Sequence, residues 1–134
     1  MNEAVLDASA LLAFLRAEPG FAVVTKQLEN GAYISAANWA EVLSKVSELG
    51  VDCQKLAHDL RIQGVLGGAL IVAPLTEEDA LTIGKIRLET KKSGLSLGDR
   101  ACLALAIRMK ARALTTDRTW LTIKIAGLKV EVIR

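Results

Sequence analysis

The 134 residues, 51% of them hydrophobic, suffice for one domain that buries roughly two-thirds of its unfolded surface, which excludes a disordered chain. Two cysteines beside a single histidine exclude a disulfide framework and a zinc cage. The net charge of +2 conceals a split: residues 1–84 hold five Lys/Arg against eleven Asp/Glu, and residues 85–134 hold twelve against four. Solvated helix faces would produce that split, and so would a polyanionic partner reached by one surface.

The short apolar run Ala4-Val5-Leu6 reads as a strand buried on both faces, and the wholly apolar Ala10–Leu15 as a helix packed onto a sheet. Asp7 lies between them with Ser9 two residues on. It either caps the helix or stands at the carboxyl end of a central strand, where open α/β sheets place ligands. No basic segment precedes this run, so a secretory signal is not expected.

Glu18-Pro19-Gly20 ends the first helix, a second runs from about Phe21 to Asn30, and Ala32-Tyr33-Ile34 follows as a strand. Ser35 can cap a third helix whose stripe is Trp39, Val42, Leu43, Val46 and Leu49. Glu41 lies off that stripe, three residues after Asn38 and so beside it on the helix surface. It is either an ordinary polar-face residue or part of a site. Another helix spans Asp52 to about Gln63 and carries His58. A lone histidine excludes a two-histidine ribonuclease mechanism, and no GxSxG elbow supports a serine triad.

Gly64 to Gly68 breaks the pattern, and Leu70-Ile71-Val72 makes a third strand. The uncharged stretch Gly64–Leu75 falls short of the roughly 20 residues of a membrane span. Thr76 caps a helix, with Asp79 at the capping-box position, that is expected to run through Lys91-Lys92 to Ser93-Gly94. Leu95–Ala101 feeds a nearly all-apolar helix to about Lys110, with Asp99 at its amino end and Cys102 as a small buried hydrophobe. Ala113-Leu114-Thr115 is a strand ending at Thr116-Asp117, and Val130–Ile133 is the last.

Strand and helix alternate throughout, which argues a parallel α/β/α sandwich. In such a sheet Asp7 and Asp117 follow strands directly, while Glu41 and Asp99 sit early on helices, all at one rim. Each acid alone has a bland explanation as a cap or surface residue; four converging do not. Two carboxylates ~5 Å apart repel by roughly 3 kcal/mol at an effective dielectric of about 20, so the cluster needs a cation or raised pKa values. All-oxygen ligation favours Mg2+ or Mn2+ over zinc, and hard ions at a sheet rim serve phosphoryl chemistry. Asp7-Ala8-Ser9 lacks the D-x-D of aspartyl-phosphate enzymes, and P-loop and dinucleotide fingerprints are absent.

The blocks Val5–Leu12, Ser35–Val42, Leu95–Ala106 and Leu114–Trp120, in this order and spacing, closely resemble the signature blocks of PIN-domain ribonucleases. The match is nearest to the VapC toxins of bacterial and archaeal toxin–antitoxin pairs. The resemblance implies a single PIN domain over residues 1–134. Its fold would be a PIN-like three-layer α/β/α sandwich with a central parallel sheet of about five strands in the order 3-2-1-4-5. It implies that Asp7, Glu41, Asp99 and Asp117 match the acidic quartet, with Asp7 and Asp99 as principal ligands of Mg2+, for which Mn2+ can substitute. Ser9, Asn38 and Thr115, the last with Thr116 beside it, match supporting polar positions.

It further implies hydrolytic endoribonuclease activity on single-stranded or looped RNA by a metal-activated water. The resemblance also implies a homodimer, a cytoplasmic location with no membrane, and inhibition by a VapB-type antitoxin that covers the acidic site. Arg100, Arg118 and the Lys91-Lys92 pair are candidates for steering the RNA backbone. Phe21–Asn30 and Trp39–Leu49 are candidate antitoxin and dimer contacts. The alternative is a non-catalytic PIN-like module that binds RNA or protein, whose mark is the loss of one or more acids; none is lost here.

Overall fold

The computed structural model describes residues 3–134; residues 1 and 2 of the expected domain lie outside the described residues. Five strands form one sheet: β1 (Ala4–Leu6), β2 (Ala32–Ser35), β3 (Leu70–Ala73), β4 (Arg112–Thr115) and β5 (Lys129–Val132). They lie in the order β3-β2-β1-β4-β5, and every pairing is parallel. Between them run α1 (Ala8–Leu15), α2 (Phe21–Asn30), α3 (Ala36–Glu48), α4 (Cys53–Ile62), α5 (Glu77–Lys85), α6 (Arg87–Thr90) and α7 (Leu97–Met109). The three-layer PIN-like α/β/α sandwich, with the expected strand order, is therefore what the sequence folds into. Among the described residues no helix is long and apolar enough to cross a membrane.

The first strand occupies the middle of the sheet because its three residues have nothing polar to keep in water. Ala4, Val5 and Leu6 have no solvent exposure. The alternation of a strand then divides them between two cores. Ala4 and Leu6 face a cluster with Leu11, Val24 and Val42, under α1, α2 and α3. Val5 faces the opposite cluster with Cys102, Leu103, Leu105 and Trp120, under α7. α7 is apolar nearly all round because its other side, Ala101 and Ala104, packs on Ile83 of α5.

Three local expectations are corrected. Leu49, placed in the α3 stripe, is 55% exposed, because the helix ends at Glu48 and Leu49 becomes its C-cap. The helix from Thr76 begins with the expected capping box but divides into α5, α6 and a 3-10 turn at Lys91–Ser93. Gly84 weakens the helix just before the break, and Ile86, at the break, is buried in the core. The last strand, expected at Val130–Ile133, runs Lys129–Val132, and Asp117 is followed by a 3-10 turn, Arg118–Thr122, whose Trp120 is buried.

An ion pair between buried Asp79 and exposed Arg108 ties α5 to α7. Asp79 at the start of α5 accepts from Arg108 near the end of α7, with Nε–Oδ1 at 2.8 Å and Nη2–Oδ2 at 3.0 Å. The turn between α1 and α2 depends on Gly20, at φ 100°, where a Cβ would lie 2.8 Å from the Ile133 side chain.

Candidate functional site

The carboxyl ends of β1 and β4 are joined by a hydrogen bond from the Asp7 N–H to the Leu114 carbonyl, 3.0 Å. That bond brings Asp7 beside Thr115, 108 positions later in the chain. Asp7 caps α1 in extended conformation: Oδ1 accepts from the Ala10 N–H at 2.8 Å and from Ser9 Oγ at 2.6 Å. Oδ2 accepts from the Thr115 hydroxyl, so the contact is made by Thr115 rather than by the hydroxyl of Thr116. Thr116 contributes its backbone N–H, which donates to Ser9 Oγ at 3.0 Å. The capping and ligand readings of Asp7 are thus compatible, since one carboxylate oxygen serves the helix and the other faces β4.

Asp7 is only 4% exposed. Burial pushes its carboxyl up to about 6, outweighing the hydrogen bonds from Ser9, Thr115 and Ala10, and the charge of Asp99 pushes the same way. Asp79 supplies the contrast. It is buried as well, but its hydrogen bonds and ion pair with Arg108 outweigh burial and hold it below the usual range. Among the described residues none of Asp7, Glu41, Asp99 and Asp117 has a basic ion-pair partner. A buried carboxylate without a cation is an expensive arrangement that folding alone does not favour.

Glu41 reaches the same region from α3. Asn38, 1% exposed, donates through Nδ2 to Glu41 Oε1 at 3.0 Å and to the Gly98 carbonyl at 2.9 Å. It thereby ties α3 to the amino end of α7. Burial, and next the charge of Asp99 against the opposing Asn38 hydrogen bond, raises the Glu41 carboxyl. Asn38 Oδ1 is buried with no hydrogen-bond partner. Gly98 was missed by sequence reasoning. A Cβ there would overlap Glu41 Oε1, so only glycine lets that carboxylate approach Asp99's neighbour in the chain. The available signal was a glycine in the first turn of an otherwise strong helix, where alanine would serve better.

Asp99 is turned back on its own helix: Oδ2 accepts from the Ser96 N–H at 2.9 Å, and Ser96 Oγ accepts from the Asp99 N–H at 3.1 Å. Asp117 caps the 3-10 turn through Oδ1, which accepts from the Thr119 N–H at 2.9 Å and the Thr119 hydroxyl at 2.8 Å. Its N–H donates to Thr115 Oγ1 at 3.1 Å, so a single hydroxyl links Asp7 and Asp117. Cys102 lies three residues after Asp99 on α7 and is fully buried. Its thiol is raised well above the usual range by burial and then by Asp7, Asp99 and Glu41.

Among the described residues no group of three or more His, Cys, Asp or Glu side chains is gathered tightly enough to hold a metal ion as it stands. By donor chemistry the set still fits a hard divalent cation: every candidate ligand is a carboxylate oxygen, and each lacks a cationic partner. Of the basic candidates, Arg118, Lys91 and Lys92 are exposed. Arg100 instead donates through Nη1 to the Ile83 carbonyl at 3.1 Å, tying α7 to α5.

The chain matches the family described as PIN domain over residues 4–125. No curated protein matches it. Among solved structures it is similar to VapBC2 from Rickettsia felis bound to a DNA fragment from their promoter, at TM-score 0.72 and 19% identity, covering 96% of this chain and 97% of that one. FitAcB from Neisseria gonorrhoeae is similar at TM-score 0.70 and 24% identity, covering 95% of each chain. A toxin–antitoxin complex from Klebsiella pneumoniae is similar at TM-score 0.67 and 18% identity, covering 93% and 94%. With the family matched across both ends of the acidic rim, the chain belongs to the PIN domain family.

Proposed function

We propose that residues 1–134 form one PIN domain that acts as the endoribonuclease toxin of a type II toxin–antitoxin pair. The observation that carries the reading is Asp7: a buried carboxylate with three hydrogen-bond donors, no basic partner, and Glu41 and Asp99 on neighbouring elements. Such a group is costly to the fold and is rationalised by a cation that the chain itself does not supply. The fold neighbours support the toxin reading, because one is described as a toxin–antitoxin complex.

In this reading Asp7 and Asp99 hold Mg2+, or Mn2+ in its place, with Glu41 and Asp117 completing the donor set. The ion when bound would supply water activation and neutralisation of phosphate charge. The chain's own residues prepare that chemistry. Ser9 and Thr115 fix both oxygens of Asp7, and Asn38 fixes Glu41 while holding α3 to α7. Arg118, Lys91 and Lys92 attract the RNA backbone. The partners are an RNA substrate, a VapB-type antitoxin covering the acids and a second copy of the chain, in the cytoplasm.

A second reading, a non-catalytic PIN-like module that binds RNA or protein, draws on the absence of a gathered metal cage among the described residues. Mapping the 5′ ends of total RNA after brief expression separates the two. The toxin reading expects discrete new ends that vanish with Asp99→Asn. Ends that persist unchanged in Asp99→Asn, or no ends from the wild-type protein, would leave the binding-module reading standing.

A further inference from the structure

The acids occupy the carboxyl rim of the sheet, yet most of the surplus positive charge lies elsewhere. β4 and β5 are parallel neighbours, so the connection between them must return from the carboxyl rim to the amino rim. That return is residues 118–129, which carry Arg118, Lys124 and Lys129 and no acid. All three cations are exposed. The turn holding Lys91 and Lys92 stands against the same segment, with Ser93 Oγ 3.0 Å from Thr122 Oγ1.

The segment ends beside a cavity of about 320 Å³ at the amino ends of β4 and β5, lined by Lys110, Arg112 and Lys129 against a single acid, Glu3. Arg112 is held in place by Glu131, at 2.7 Å, and by Gln27 Oε1. Among the described residues neither Lys110 nor Lys129 has an ion-pair partner. The opposite flank is unlike this one: residues 32–80, which build β2, β3 and the helices between, carry seven acids against three cations. A polyanion leaving the acidic rim is therefore repelled from the β3 flank and attracted toward β5.

We propose that the β4–β5 crossover is a phosphate-tracking face, along which RNA held at the acidic rim passes Arg118 and Lys124 and seats a flanking phosphate in the cavity between Lys110 and Lys129. This rests on the nuclease reading for the identity of the polyanion. The contact is with phosphates rather than bases, because the segment's one aromatic ring, Trp120, is 1% exposed and unavailable for stacking. Lysine suits that role as a flexible point charge, and the face carries no sequence information of its own.

The test is fluorescence anisotropy of labelled oligouridylates of about twelve and about three nucleotides in EDTA at several salt concentrations. The variant combines Lys110→Asn, Lys124→Gln and Lys129→Gln, asparagine being chosen because Lys110 has a left-handed backbone, φ 53°. The longer RNA should bind about tenfold more weakly, and the slope of log K against log salt should fall by about 1.4, from two phosphates at ~0.7 each. The shorter RNA should be unaffected. A control triple, Lys45→Gln, Lys55→Gln and Lys85→Gln, removes equal charge elsewhere and should leave both RNAs unchanged.

Equal weakening by both triples would assign the effect to net charge and overturn the track, as would an unchanged slope. Displacement of the longer RNA by inorganic phosphate would reduce the face to an isolated anion pocket. Tighter binding of an oligoglutamate peptide, lost in the variant, would make it a protein-binding face. If the triple melts early, Lys124→Gln alone must lower the slope by about 0.7. Wild-type protein that cleaves RNA with Mg2+ while the triple binds normally sinks the track alone; an intact track without cleavage sinks the nuclease reading alone.

Discussion

Replacing Asp7 with asparagine should stabilise the protein at neutral pH while abolishing the proposed RNA cleavage. The gap between the ordinary carboxyl value of 3.8 and about 6 means that ionised Asp7 costs the fold about 3 kcal/mol above both values. Asparagine carries no charge and keeps an oxygen for the Ala10 N–H and Ser9, but its nitrogen cannot accept from Thr115, a loss of about 1 kcal/mol. The net gain is about 2 kcal/mol at pH 7.5 without metal, or roughly 6 to 8 °C in melting temperature. The sign depends on pH. Between about 6 and 3.8 the folded state takes up a proton that the unfolded chain does not, so wild-type stability rises as pH falls through that window. Near pH 4 the wild-type carboxyl is neutral and the variant should be the less stable by about 1 kcal/mol. Thermal melts of both proteins in EDTA from pH 4 to 8 measure the crossover. A variant that melts below wild type at pH 7.5, or a difference constant across that range, would refute the account of Asp7 as an uncompensated buried charge.

Adding Mg2+ or Mn2+ at about a hundred times its dissociation constant should raise wild-type stability by about 2.7 kcal/mol, measured by melting, and should do nothing for Asp99→Asn. Gly98→Ala places a methyl group where Glu41 Oε1 now lies and should cut cleavage at least about tenfold. Its melting temperature should change little, since alanine favours the helix by up to about 1 kcal/mol. Asp79→Asn weakens its paired hydrogen bonds from Arg108, which stays solvated, and should cost about 1.5 kcal/mol in urea unfolding, with cleavage per folded molecule unchanged. A large loss of cleavage in Asp79→Asn would mean that the α5–α7 clamp shapes the site directly.

Much of the architecture was legible because burial leaves a strong imprint on sequence. Ala4-Val5-Leu6 and the apolar run of α7 have no other sensible placement than between two layers, and their alternation with polar helices implied the parallel sheet. The acids were legible as positions at strand ends and helix starts. What was not legible is how each carboxylate is held. Whether Asp99 faces the site or its own helix depends on the Ser96 hydroxyl and N–H, a choice between two nearby minima that residue type does not decide. The division of α5 from α6 escaped for a similar reason: burial of Ile86 in the tertiary core overrode a helical pattern that was locally continuous. Gly98 was overlooked because its reason for being glycine lies on α3, far away in the chain.

The bond between Asp7 and Thr115 spans 108 positions, and the strand carrying Asp7 needs β4 on one side before it is enclosed. During synthesis, therefore, the first strand emerges from the ribosome long before its neighbour exists. Until β4 has emerged, Asp7 remains a solvated, ordinary aspartate with nothing to hold it near Asp117. A nascent or prematurely terminated chain would carry three of the four acids and no assembled site. Any cleavage competence would arrive abruptly, with the pairing of β4 on β1, and not before.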